Sequence, residues 1–179
     1  MHKLIRVFFI VALMVFGHLF SFSAKVRTAQ QQEVPAELRA PENERLLLQV
    51  RGKGDQIYTC KEDGGKTGWT LKAPEAELTN MDASAFGKHF AGPTWEAKDG
   101  SRVVGKAVAN VASADGDAIP WLLITVVNGN GDGVLGKVTS IQRIHTKGGK
   151  APASGCDAGH VGQETRAGYS ADYLFFVAK

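Results

Sequence analysis

The chain has 179 residues, of which 44% are hydrophobic and 22% charged, with 21 Lys plus Arg against 18 Asp plus Glu. The apolar content is that of a globular chain and excludes a disordered one, which has too few such residues to bury a core. The formal charge of +3 is too small and too scattered for the clustered positive face that nucleic-acid binding requires.

The amino terminus reads as an export signal. Lys3 and Arg6 precede an apolar run from Val7 to Phe20, and Ser21 and Ser23 lie three residues and one residue before a cut ahead of Ala24. Charge, short apolar core and small-residue cleavage site are the layout of a secretory signal over residues 1–23. The run falls short of the roughly 20 apolar residues that a membrane span needs. Loss of Lys3 and Arg6 leaves 19 basic against 18 acidic residues, close to neutral. The exported part, about 155 residues, makes one domain of ordinary size. Its expected place is the periplasm or the medium, with no span left after cleavage and with a cell-surface glycan or a protein as partner.

Residues 24–41 are rich in Gln, Glu, Ala, Arg and Pro without a period, and read as a loosely ordered leader. Within it, 34–38 is the stretch suited to docking on the domain, which occupies 42–179. Short β-branched and aromatic segments then alternate with turn residues: 45–50, 56–60, 69–72, 94–97, 102–111, 121–127, 138–145 and 171–177. One stretch, 80–88, suits a short helix capped by Asp82 or Ser84. At the end of the chain, Tyr169, Ala171, Tyr173, Phe175 and Val177 share one face at period two, while Leu174 and Phe176 make the other face apolar too. These features predict an all-β single domain, a sandwich or closed barrel of about eight strands. The two cysteines, Cys60 and Cys156, read as one disulfide in an exported chain. A pair of metal-binding thiolates is the alternative, though neither cysteine has C-x-x-C spacing.

Several motifs carry a possible chemistry. Gly131-Asp132-Gly133-Val134-Leu135-Gly136 matches G-x-G-x-x-G, but the residues after it are β-branched where the dinucleotide fold needs a helix. It reads as a glycine-rich hairpin, and no cofactor is expected. Asn128, Asn130 and Asp132 space oxygen atoms as the first half of a calcium loop does; the twelfth position, which should be Glu, is Thr139. Their Asn-Gly and Asp-Gly pairs also suit a plain turn. His145, His160 and Asp157 would make a metal site only if the fold gathered them. His89 with Asp99 and Ser101 is the best candidate set for a hydrolase, without a G-x-S-x-G elbow to support it. The carboxylate pairs Glu75 with Glu77, and Glu96 with Asp99, are no more distinctive. Of the three tryptophans, Trp95 is the one expected to be partly exposed, where it would stack on a ligand ring beside His89. Without a complete catalytic motif, the leading expectation is an exported binding or surface-associated module that does no chemistry.

The run Gly87-Lys88-His89-Phe90-Ala91-Gly92-Pro93-Thr94-Trp95-Glu96, followed by Asp99-Gly100-Ser101, resembles the exported family known as domain of unknown function 3455. The resemblance extends through Gln56-Ile57-Tyr58-Thr59-Cys60, Ala73-Pro74-Glu75-Ala76, Ile119-Pro120-Trp121-Leu122-Leu123 and Ile141-Gln142-Arg143. It ends in Thr146-Lys147-Gly148-Gly149-Lys150-Ala151-Pro152, Gly155-Cys156-Asp157 and Tyr169-Ser170-Ala171-Asp172-Tyr173. It implies one exported bacterial or fungal domain that contains both cysteines, and it implies no reaction or substrate. Some fungal members carry a malate dehydrogenase label, which the failed dinucleotide motif gives no reason to extend to this chain.

Overall fold

Eight runs of residues form strands in the computed structural model, which describes residues 34–179. The expected signal segment, residues 1–23, and residues 24–33 of the expected leader lie outside the described residues. The strands are β1 (Glu44–Asp63), β2 (Lys66–Asn80), β3 (Ala85–Phe90), β4 (Thr94–Ala97), β5 (Arg102–Val111), β6 (Trp121–Asn130), β7 (Val138–Gly148) and β8 (Glu164–Ala178). Each pairs antiparallel with the next, and β8 pairs with β1, so the ladder closes into a barrel. Closure gives every strand a neighbour on both sides, although the outer edge of β2 from Lys66 to Glu75 pairs with β1 alone. Among the described residues the one helix, Ala36–Leu38, is short and 3-10 in type, and none is long and apolar enough to cross a membrane.

The expected number of strands is met, with two expected segments merged into one strand and β3 added. Segments 45–50 and 56–60 belong to one strand of 20 residues, β1. Gly52 and Gly54, which look like turn residues in the sequence, lie inside it because the barrel needs their missing side chains. A Cβ on Gly52 would lie 2.6 Å from the Tyr173 ring, and one on Gly54 would run into the β2 backbone at Glu75. The helix expected over 80–88 is instead a turn followed by β3. Asp82 accepts hydrogen bonds from the Ser84 N–H (2.9 Å) and hydroxyl (2.6 Å), so it closes a tight turn rather than starting a helix.

Registers across β8, β1, β2, β3, β4 and β5 sort the side chains into rows. One row runs Tyr169, Gly54, Ala76, His89, Trp95, Val103. Another runs Ala171, Gly52, Leu78, Gly87, Ala97. Both point inward, and each places small residues beside large ones, which lets a narrow barrel fill. The row between them runs Ser170, Lys53, Glu77, Lys88, Glu96, Arg102, Asn130 and faces outward. The lumen is completed by Val50, Ile124, Ile141, Tyr173 and Phe175, all at 2% exposure or less.

A second, smaller core lies outside the barrel. Val34 and Leu38 pack with Ile144 against Ala109, Val111, Trp121, Leu123 and Leu174. Gln142 Nε2 donates to the Leu38 carbonyl at 2.6 Å. The segment Val34 to Leu38 is therefore docked on the barrel.

The β7–β8 connection, residues 149–163, packs along the β1–β2 hairpin. Cys156 in that segment is bonded to Cys60 on β1, 96 residues away. Closing a loop of that length contributes about 4–5 kcal/mol in the chain-entropy account. Tyr58 donates to the Gly149 carbonyl (2.7 Å), Thr67 to Cys156 (3.1 Å) and Trp69 Nε1 to Ser154 (2.9 Å).

Candidate functional site

The structure separates the residues proposed for hydrolysis. His89 lies at the end of β3, beside the 91–93 connection into β4, and only 2% of it is exposed. Its ring stacks on Trp95 with centroids 4.3 Å apart. Nδ1 lies 2.8 Å from the Thr94 carbonyl; a carbonyl only accepts, so Nδ1 carries the proton. Burial pulls the imidazole pKa down to about 4, against the opposing Thr94 bond and with help from the charge of Arg143. His89 is therefore neutral near pH 7.

Asp99 and Ser101 lie past the far end of β4. Asp99 Oδ1 accepts from the Ser101 N–H (2.9 Å) and hydroxyl (2.6 Å), and Oδ2 accepts from the Val134 N–H (2.7 Å). Ser101 Oγ accepts from the Leu135 N–H at 3.0 Å. The Ser101 hydroxyl is the largest of the influences that hold the Asp99 carboxyl below the usual range. Together they brace the 131–136 turn, which contains no helix. A Cβ on Gly133 would run into the Asp99 carboxylate, so the glycines of the G-x-G-x-x-G motif serve turn packing.

The other candidates are also placed apart. His145 Nδ1 contacts Asp172 Oδ2 at 2.9 Å, while His160 Nδ1 contacts Asp157 Oδ1 at 2.7 Å. Among the described residues, no group of three or more His, Cys, Asp or Glu side chains is placed to hold a metal. Trp95, expected at the surface, is 1% exposed. It points inward because period two along β4 puts it on the same face as Ala97, so it offers no ring to a ligand from solution.

The barrel does bring together two segments that the sequence marks separately. Phe90 and Thr94, from the run 87–95, line a cleft of about 140 Å³ with Asn128 and Asn130 of β6 and with Arg102 of β5. Antiparallel pairing explains this. Phe90 lies opposite Thr94, Thr94 opposite Val104, and Val104 opposite Asn128. Asn128 and Asn130 alternate with Gly129, so both amides project outward about 7 Å apart along the strand. Asp132 lies beyond the cleft, in the turn. The half-buried Phe90 ring supplies an apolar wall, and Val104 the floor.

Below the cleft lies the His89–Trp95 pair. The His89 bond fixes the Thr94 carbonyl, and the Thr94 hydroxyl donates to the Ala91 carbonyl at 2.8 Å. Both bonds shape the turn that carries Phe90. His89 and Trp95 therefore support the cleft from beneath without lining it. Arg102 is the lining residue that sequence reasoning missed. Nothing marks it along the chain, and only the registers of β4, β5 and β6 place it beside Asn130.

The model of a family described as protein of unknown function (DUF3455) matches residues 41–177. No curated protein and no solved structure matches the chain.

Proposed function

The chain belongs to this family of unknown function, and from that premise we propose that it is a binding module of the cell exterior that works without catalysis. Its binding site is the cleft formed by Phe90, Arg102, Asn128 and Asn130, and its ligand is a saccharide. The export layout of residues 1–23 and the Cys60–Cys156 disulfide support the compartment. The observation that carries the reading is the pair of outward amides on β6 beside an aromatic ring. Among the described residues neither amide is bonded to another protein group, so both are free to meet hydroxyls. Phe90 supplies the apolar surface that a sugar ring's C–H face needs. The volume is well below the 300 Å³ or more of a drug-sized pocket, which suits one ring of a longer chain. The groups proposed for hydrolysis are engaged elsewhere: His89 with Thr94, and Asp99 and Ser101 with the 134–135 backbone.

A thermal-shift screen of the oxidised protein against neutral and acidic cell-wall glycans, divalent metals and nicotinamide nucleotides tests this. A glycan at a hundred times its Kd adds about 2.7 kcal/mol, a shift of about 5 °C or more for a domain of this size. The shift should vanish in Asn128→Ala. A shift with metals or nucleotides alone, or turnover of a glycan to product, would overturn the proposal.

A further inference from the structure

We infer that the sugar bound in this cleft is an acid, with its carboxylate held by the guanidinium of Arg102. The inference rests on the saccharide reading of the cleft and goes on to name the ligand's class. Arg102 lies opposite Glu96 on β4 and opposite Asn130 on β6. Opposite charges across a ladder can pair, and on this outer surface some do, although among the described residues the directly opposed Lys53 and Glu77 form no ion pair, and neither do Lys88 and Glu96. Lys88 reaches Glu77 at 4.0 Å, and Arg166 engages both Asp55 (3.1 Å) and Glu75. Among the described residues no ion pair joins Arg102 to Glu96. Arg102 lines the cleft with Asn130, whereas Glu96 borders a different depression with Lys88 and Lys98.

The cleft lining thus contains one cation and no carboxylate. That composition repels calcium, the ion which the spacing of Asn128 and Asn130 first suggests. It favours an anion, and a guanidinium fork matches a planar carboxylate through two parallel hydrogen bonds. Asn128 and Asn130 then meet hydroxyls along the ring, and Phe90 covers its apolar face. A uronic acid residue within a glycan supplies all three features at once.

The test is calorimetric titration of the oxidised protein with an oligogalacturonate, its methyl ester and a sulfated neutral oligosaccharide. The acid should bind at least tenfold tighter than the ester at low salt, and the gap should narrow as salt rises. Arg102→Gln should close the tenfold gap between acid and ester, while Arg102→Lys recovers part of it. Equal binding of acid and ester, or a ratio that survives Arg102→Gln, overturns the acidic-sugar inference and leaves the saccharide reading intact. Tighter binding of the sulfated ligand overturns the carboxylate assignment. If none of the three binds and no glycan shifts the melting of the parent protein, the underlying reading itself fails.

Discussion

Two neighbouring rows of the same strands behave as different materials. The inward row of Tyr169, Gly54, Ala76, His89, Trp95 and Val103 is packed solid, and its ionisable histidine is kept neutral. One residue along each strand, the outward row of Ser170, Lys53, Glu77, Lys88, Glu96, Arg102 and Asn130 alternates in charge and is mostly exposed. The barrel's identity resides in the first row. In the second, Arg102 and Asn130 border the cleft. A position's row, more than its residue type, therefore indicates whether a substitution will be felt in folding or in binding.

The sharpest way to break that division is at Trp95. Truncation of a fully buried tryptophan removes its apolar surface and leaves a cavity, so Trp95→Ala should cost about 3–5 kcal/mol. Urea unfolding followed by circular dichroism measures it; a loss below about 1 kcal/mol would mean that the row is not the packed core described. A smaller effect comes from His89, whose pKa falls from 6.5 in the unfolded chain to about 4 in the fold. Between these values the unfolded chain holds more protons than the folded one, so stability falls as pH drops from 6.5 towards 4. The full loss is about 3 kcal/mol at 1.36 kcal/mol per pH unit. In His89→Phe that slope should disappear from the urea midpoint over this range, although the variant loses the Thr94 bond at every pH. Below about pH 5 the carboxylates titrate in both proteins, so the comparison belongs above it. Next in size is Gly105→Ala, whose new methyl would run into Ile124 and lie 3.0 Å from the Trp95 ring. Overpacking of this kind costs about 1–3 kcal/mol, again read from the urea midpoint.

Period two made much of the inward architecture legible. The alternation of Tyr169, Ala171, Tyr173, Phe175 and Val177 announces a strand before any coordinates, and all five are buried. The residues that misled were those whose role is set by a distant partner. Gly52 and Gly54 carry the signature of a turn, and only the Tyr173 ring and the β2 backbone explain why they sit in mid-strand. Asp82 and Ser84 bond to each other as readily in a hairpin turn as at a helix start. Trp95 follows Gly92-Pro93 and precedes Glu96, which suggests an exposed ring, yet strand parity turns it inward. The site was half legible. Asn128, Asn130 and the run through Phe90 stand out in the sequence, but their meeting depends on four strands coming into register. Arg102 has no distinguishing neighbours along the chain at all.

The smallest expected effect on folding is also the most informative. Asn128 and Asn130 are exposed, bond no other side chain among the described residues, and lie outside both apolar clusters. Surface changes of this kind move stability by no more than about 0.5 kcal/mol, so the double variant Asn128→Ala, Asn130→Ala should unfold at nearly the urea midpoint of its parent. The same variant should lose the glycan-induced melting shift entirely, because it removes both amides that meet the ring. A change of that sort, silent in folding and complete in binding, is what an outward row reserved for a ligand must show. Should the double variant instead lose several kcal/mol, the two amides would be structural members of β6, and the cleft would be a by-product of how that strand ends.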